Sequence, residues 1–247
     1  MVLFTSCSTE LKLAKQFVEQ SQNIPVAVLF PEKADVKVEY NLKYEKKTEV
    51  LDNFSQDLFL DVVYNSYAEG LRCMGLDVYV PENADNIVVD STHWYVLLSQ
   101  MEIVGRLTEY EDYLFSDRTD YSYKYPLNTV NVASWFEVNN GQWLPILFNE
   151  TNLIDKFSSK TDYSIWSTKF DYHYNIDTLK VDDVYNFGVY LGKLYASYTY
   201  NSLINKYVET EMVKEYNLLP SVYVKYDTIS KEYFYDANDE RFIELDQ

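Results

Sequence analysis

One long uninterrupted segment, residues 181–212, constrains the fold more than any other part of this sequence. Its apolar and small residues recur at steps of three and four, which places their side chains on one face of an α-helix. The recurring residues are Val184, Phe187, Leu191, Leu194, Tyr195, Tyr198 and Ser202. Asp182 and Asp183 stand at the start, where carboxylates face unpaired backbone N–H groups and the positive end of the helix dipole. Because no proline interrupts the segment, we predict one helix of about 46 Å, from about 31 residues at ~1.5 Å each.

Three small residues on this helix, Gly188, Gly192 and Ala196, lie four positions apart and therefore share a face. Small residues at this spacing let a neighbouring backbone approach closely, as is well known between membrane helices. Lys193 and Asn201 argue against a membrane span here. We therefore predict that this face packs closely on a sheet or on a second helix.

The charge of the chain excludes some classes of partner. Lys and Arg number 21 against 39 Asp and Glu, which gives a net charge of −18 over 247 residues. Such a chain lacks the clustered cations that nucleic acids and anionic lipid head groups require. The 25 tyrosines, against 6 glycines and 6 prolines, favour half-exposed strands and wet interfaces. The sequence therefore predicts an ordered protein that is rich in sheet.

The remaining regular elements are predicted from local patterns. A second helix is expected over 54–74, with Gly75 as its left-handed C-terminal residue. Residues 94–104 are expected to form a central strand. Its predicted shared face comprises Leu97, Ser99, Met101 and Ile103. Asn140-Gly141 predicts a type I′ turn between two strands, because both central residues of that turn need a positive φ.

The other segments are harder to assign. Residues 9–20 are predicted to form a short helix, and the apolar run 24–30 to form a buried strand. We interpret 108–125 as an irregular excursion or hairpin tip, and 151–180 as a connector.

The order of elements predicts an α+β fold with two layers, in which two long helices cover one face of a mainly antiparallel sheet. Residues 1–23 are expected to be the remnant of a lipidation signal with a leader helix. Residues 24–219 form the α+β domain in this interpretation, and 220–247 an edge hairpin or a solvent-exposed tail.

The two cysteines lie in different settings. The start, MVLFTSCSTE, resembles the end of a bacterial lipoprotein signal peptide, in which small residues precede a cysteine that becomes lipidated. The resemblance implies a lipid anchor on Cys7, although a basic region and a full apolar region do not precede it. Either the start is truncated or the resemblance is accidental, and Cys7 is then an ordinary thiol. Cys73 is expected to be a small packed residue within the second helix.

The segment around Cys7 resembles outer-membrane lipoproteins of Bacteroides-type bacteria. Together with IPVAVLFP, the helix that ends at Gly75, the strand WYVLLSQMEI and the C-terminal helix, it resembles envelope-assembly lipoproteins of the lipopolysaccharide-assembly and curli-secretion types. This resemblance covers residues 24–212 in outline. It implies a non-catalytic, lipid-anchored subunit of an outer-membrane assembly or transport complex, facing the periplasm, with an outer-membrane protein as partner.

An alternative is a glycan-binding envelope protein that uses exposed aromatic side chains. The candidate contact residues are Tyr121, Tyr123, Tyr125, Trp135 and Trp143, together with Trp166. The sequence contains no glycine-rich phosphate loop, nucleophile elbow or metalloprotease motif. The two histidines, His93 and His173, each precede an aromatic residue and are expected to have packing or surface roles. We therefore expect no enzyme activity, cofactor or metal.

Overall fold

The computed structural model of this protein describes residues 6–81, 90, 92–114, 121–141, 143–163, 170–236 and 241–245. Within these ranges the helices are α1 (Ser6–Gln20), α2 (Gln56–Cys73) and α3 (Val181–Tyr216). The strands are β1 (Pro25–Leu29), β2 (Asp35–Val38), β3 (Tyr40–Asn41), β4 (Lys46–Lys47), β5 (Asp77–Tyr79), β6 (Trp94–Leu114), β7 (Tyr121–Asn139), β8 (Ile146–Ile154), β9 (Lys156–Tyr163), β10 (Phe170–Asp177), β11 (Tyr223–Asp227), β12 (Glu232–Asp236) and β13 (Ile243–Leu245). The predicted α+β class is confirmed.

A seven-stranded mixed sheet forms the centre of the molecule. Its strand order is β13–β8–β7–β6–β1–β5, and β2 pairs with the far half of β6. The pairs among β6, β7, β8 and β13 are antiparallel, as predicted. Around β1 the pairing is parallel, both to β5 and to β6. Parallel neighbours need a long crossover, and α2 lies in the connection from β1 to β5.

All three helices contact the same face of this sheet. Phe17 of α1 stacks on Trp94, with ring centroids 5.8 Å apart. Tyr67 of α2 and Tyr195 of α3 both contact Phe136, at 5.5 and 5.2 Å. The two long helices therefore share a face, as predicted, and α1 is a third helix beside them.

The glycine face of α3 packs directly against α2, which confirms the second of the two predicted possibilities. A Cβ atom added to Gly192 would lie 2.5 Å from the backbone oxygen of Val63. A Cβ added to Gly70 of α2 would lie 2.6 Å from the Cβ of Ala196. The two backbones therefore approach to a distance that only small residues allow. The α3 helix begins at the predicted residue and continues to Tyr216, where Asn217 takes a left-handed conformation.

A β-bulge in β6 changes which residues face the helices. The register shifts between Leu98 and Gln100, so even-numbered residues face the helices before the bulge and odd-numbered residues face them after it. The buried residues are Trp94, Val96, Leu98, Met101 and Ile103. The predicted shared face of Leu97, Ser99, Met101 and Ile103 is therefore wrong, because the simple period of two ignores the inserted residue.

Two segments interpreted as irregular are strands. The β6–β7 hairpin stays paired out to Leu114 and Tyr121, beyond the rest of the sheet. Most of the expected connector forms the end of β8 and the antiparallel β9–β10 hairpin. The interpretation failed because these strands are polar and aromatic on both faces, so they lack the hydrophobic alternation that identifies a half-buried strand.

Asparagine side chains of α3 hold the C-terminal β11–β12 hairpin. Asn205 accepts a hydrogen bond from the Val224 N–H and donates one to the Val224 carbonyl, both at 2.8 Å. Asn201 accepts one from the Tyr226 N–H at 2.7 Å. The two side chains thus substitute for a neighbouring strand along β11.

Two local predictions are wrong. Asn140-Gly141 does not form a type I′ turn, because only Gly141 takes a positive φ, of 79°. The Asn140 side chain instead accepts a hydrogen bond from the Trp143 N–H at 2.9 Å, within a longer connection from β7 to β8. Cys73 is exposed and not packed, because it lies on the solvent side at the end of α2.

Candidate functional site

The described residues show no group of three or more His, Cys, Asp or Glu side chains that could hold a metal ion. His93 is exposed and lies near Asp90 and Thr92. The Asp90 carboxylate and the Thr92 hydroxyl both approach the same ring nitrogen, Nδ1, at 3.4 and 2.9 Å. A proton relay would engage opposite nitrogens of the ring. The cluster is therefore a local turn motif, in which Asp90 also accepts the backbone N–H groups of both neighbours.

The sheet face opposite the helices, which we call the open face, carries half-exposed apolar side chains. Strand register places them on one side, since directly paired residues point to the same face. Leu29 pairs with Leu97, and Trp135 pairs with Phe148. The rings of Trp135 and Phe148 lie 5.0 Å apart. The open face comprises Leu29, Tyr95, Leu97, Trp135, Ile146, Phe148 and Ile243.

Carboxylates lie among these apolar residues. Glu137 pairs with Leu97, and Glu102 and Glu150 both pair with Ala133, which places all three carboxylates on the open face. Burial, followed by the charge of Glu137, raises the pKa of the Tyr95 phenol. The open face thus combines apolar side chains with carboxylates, and Glu137 lies between Leu97 and Ile146.

The predicted tyrosine series packs against the chain itself. Tyr123 stacks on Tyr172 of β10 at 4.5 Å, and Tyr125 contacts Tyr174 at 4.4 Å. The Tyr172 hydroxyl donates a hydrogen bond to the Asp112 carboxylate at 2.7 Å. Burial, followed by the hydrogen bond with Tyr125, raises the pKa of Tyr172 well above its usual value. The β9–β10 hairpin thus covers these rings, and we call this cluster the tyrosine stack.

The β6–β7 hairpin carries a charged network on the face opposite the tyrosine stack. The Glu109 carboxylate accepts hydrogen bonds from Lys43 and Lys124, the latter at 2.9 Å, and from the Tyr44 hydroxyl at 2.8 Å. Lys43, then Lys124, then Tyr44 lower the pKa of this carboxyl to about 2. The contacts fix the small β3–β4 hairpin to β6.

A large cleft lies at the β8–β13 edge of the sheet, between that edge, α3 and the β11–β12 hairpin. Its volume is about 1090 Å³. We call it the C-terminal cleft. Its lining includes the aromatic residues Trp143, Phe148, Tyr223, Tyr235 and Phe242. Its charged lining residues are Glu150, Lys206, Glu209, Arg241 and Glu244.

Two cations of the cleft lie over aromatic rings. The Lys206 ammonium is 5.7 Å from the Trp143 ring centre and 3.2 Å from the Glu209 carboxylate. The Arg241 guanidinium is 4.7 Å from the ring centre of Tyr223. The Trp143 indole N–H donates to Glu244 at 3.2 Å. These contacts hold the cationic donors Lys206 and Arg241, and the carboxylate acceptors Glu209 and Glu244, in defined positions in the cleft.

The structure does not bring the sequence-predicted contact residues together. Trp135 lies on the open face, Trp143 lines the C-terminal cleft, and Tyr123 and Tyr125 belong to the tyrosine stack. The side chains of Cys7 and Tyr121, and the whole of Trp166, lie outside the described residues. Sequence reasoning missed Lys206 and Arg241, because a single cation in a polar stretch gives no signal until its ring partner, far along the chain, is known.

No protein-family model matches this chain, and no match was found among curated proteins or solved structures. In the described part of the chain, every helix is too short or too polar to cross a membrane.

Proposed function

We propose that this protein is a non-catalytic binding subunit of the bacterial cell envelope, and that it docks onto an outer-membrane partner protein through the open face. The observation that carries this proposal is the open face itself. Helices cover the opposite side of the sheet, whereas Leu97, Trp135 and Phe148 stay half-exposed on this side. Contiguous half-exposed apolar surface with a polar border is typical of protein interaction sites, and aromatic residues are enriched there.

The charge of the open face defines the partner. Glu102, Glu137 and Glu150 lie on it, as does Asp35, which pairs with Glu102. Lys37, the cation beside them, forms an ion pair with Asp35 at 2.5 Å. Two copies of this chain would bring like charges together, which costs free energy. The complementary partner is therefore a different protein, whose surface combines apolar side chains with basic ones.

The envelope location rests on the sequence around Cys7. A lipid on this residue would anchor the protein at its first helix, and α1 packs on the core through Leu13 and Phe17. The body would then be held close to the periplasmic side of the outer membrane. Intact mass spectrometry of the membrane-extracted protein should show a diacylglyceryl group on Cys7, and C7S should release the protein into the soluble fraction. An unmodified N-terminus in the native protein would refute the anchor.

Site-specific photocrosslinking in native membranes tests the docking. A crosslinker at position 97 should capture one partner in stoichiometric yield, whereas one at exposed Tyr190 on α3 should not. W135E should abolish capture without changing the circular dichroism spectrum, because it replaces a half-exposed ring by a charge that docking would bury. High salt should weaken the complex, because it screens the attraction between these carboxylates and the basic side chains of the partner. Equal capture from both positions, or unchanged capture by W135E, would refute this surface.

A further inference from the structure

The C-terminal cleft borders the open face and shares Phe148, Glu150 and Ile243 with it, but most of its lining lies elsewhere, on α3 and the C-terminal segments. Its volume of about 1090 Å³ is slightly above the range of small-molecule pockets, roughly 300–1,000 Å³. Leu147 and Phe242 are buried at its base, while Tyr235 is 49% exposed. The cleft is therefore deep enough to remove part of a ligand from water and open enough for an extended one.

The lining alternates ring surfaces with fixed polar groups. Lys206 and Arg241 present N–H donors, and Glu150, Glu209 and Glu244 present carboxylate acceptors. The Arg241 guanidinium lies over Tyr223 at the lining of the cleft, where its N–H groups are available to a ligand. A ligand that fits must combine many hydroxyl-like donors and acceptors with apolar faces that pack on rings.

Charge excludes the other ligand classes that an aromatic cleft could accept. An anionic ligand would meet three lining carboxylates against two cations, on a chain of net charge −18. A cationic ligand would be repelled by Lys206 and Arg241, which lie over the rings of Trp143 and Tyr223. A purely apolar ligand would leave the charged groups desolvated and unpaired. An uncharged polyhydroxyl ligand avoids all three costs.

We propose that the C-terminal cleft binds a neutral oligosaccharide. The rings of Trp143 and Tyr235 pack against the C–H faces of the sugar, and Arg241 and the carboxylates hydrogen-bond to its hydroxyls. The cleft meets the open face at Phe148, and Trp143 lines the cleft whereas Trp135 does not.

Isothermal titration of the full chain tests the site, with short fragments of neutral glucan, mannan, xylan and galactan, and of acidic polygalacturonate, as probes. At least one neutral fragment should bind saturably, and the acidic fragment should not. W143A should weaken binding about tenfold or more, a loss of roughly 1.4 kcal/mol. R241A, at an exposed position, should also weaken it without affecting the fold. Y190A, at an exposed aromatic residue of α3 outside the cleft lining, is the control and should bind like the parent protein.

Three results would overturn the assignment. One is no binding by any neutral fragment at millimolar concentration. The second is tighter binding of polygalacturonate than of every neutral fragment. The third is an equal loss of affinity in Y190A and W143A, or no loss of affinity in either W143A or R241A when both are folded. The crosslinking experiment tests position 97 and Trp135, whereas the titration tests Trp143 and Arg241. The binding results can therefore be interpreted even if the docking proposal fails.

Discussion

Replacement of Gly192 by alanine tests whether close backbone contact organises the helical layer. The new Cβ would lie 2.5 Å from the backbone oxygen of Val63, 2.7 Å from the Cβ of Ser66 and 2.9 Å from the backbone nitrogen of Tyr67. Backbone atoms of α2 cannot rotate away as a side chain can. The two helices must separate, and both lie over the buried core of the sheet.

The size of the effect follows from two opposing terms. Overpacking of a well-packed core costs about 1–3 kcal/mol, and the backbone contacts place this site near the upper limit. Alanine regains about 1 kcal/mol over glycine in helix propensity. We therefore expect G192A to lower the free energy of unfolding by about 2 kcal/mol. With an m-value of roughly 2 kcal/mol/M, the urea midpoint falls by about 1 M.

G188A on the same face of α3 is the matched control. Its Cβ would contact a ring atom of Phe59 at 2.9 Å, and a ring can turn by a small angle. The two variants gain the same helix propensity, so the difference between them isolates the cost of backbone contact. Urea unfolding followed by circular dichroism gives both midpoints and m-values. A midpoint for G192A equal to or above that of the parent, or a larger loss in G188A, would refute the reasoning.

Three further changes test other contacts. D155A should lower the unfolding free energy by about 3 kcal/mol, because this buried carboxylate accepts two hydrogen bonds from Asn128 of β7 and one from Leu179, just before α3. Urea unfolding of D155A and of D171A, at an exposed site, checks this, and equal losses of stability would contradict it. N205L should speed hydrogen exchange of the β11–β12 hairpin but not of β7, as read by mass spectrometry; unchanged exchange would show that packing alone holds the hairpin. Hydrogen bonds, above all from Lys43, lower the pKa of Glu109 from 4.5 to about 2. The ionised carboxylate therefore stabilises the folded protein fully above pH 4.5, and this contribution is lost as the pH falls toward 2. E109Q should therefore lose less stability than the parent protein between pH 5 and pH 3 at low salt, and parallel pH profiles would exclude this contribution.

The candidate site was predictable only in part. Trp135 and Trp143 were identified because aromatic residues in polar surroundings indicate contact surface. Their assignment to two different surfaces depends on β7 and β8 pairing at Trp135 and Phe148, and on α3 placing Lys206 over Trp143. Tyr123 and Tyr125 have the same local pattern as an exposed strand, but they are covered by a hairpin that follows about 35 residues later. No local sequence pattern distinguishes an exposed aromatic ring from one that another part of the chain covers.

The sequence by itself determined the helices and the face that joins them. A helix is stabilised by contacts between residues three and four apart, so its start at Val181 and the small-residue face of Gly188 and Gly192 follow from local spacing. The tertiary structure decided the parallel placement of β1, the bulge after Leu98, the extent of the long hairpin and the walls of the C-terminal cleft. These features depend on pairing between residues far apart in the chain. Such pairing is selected by the packing of the whole sheet against the helices, and no short stretch of sequence contains it.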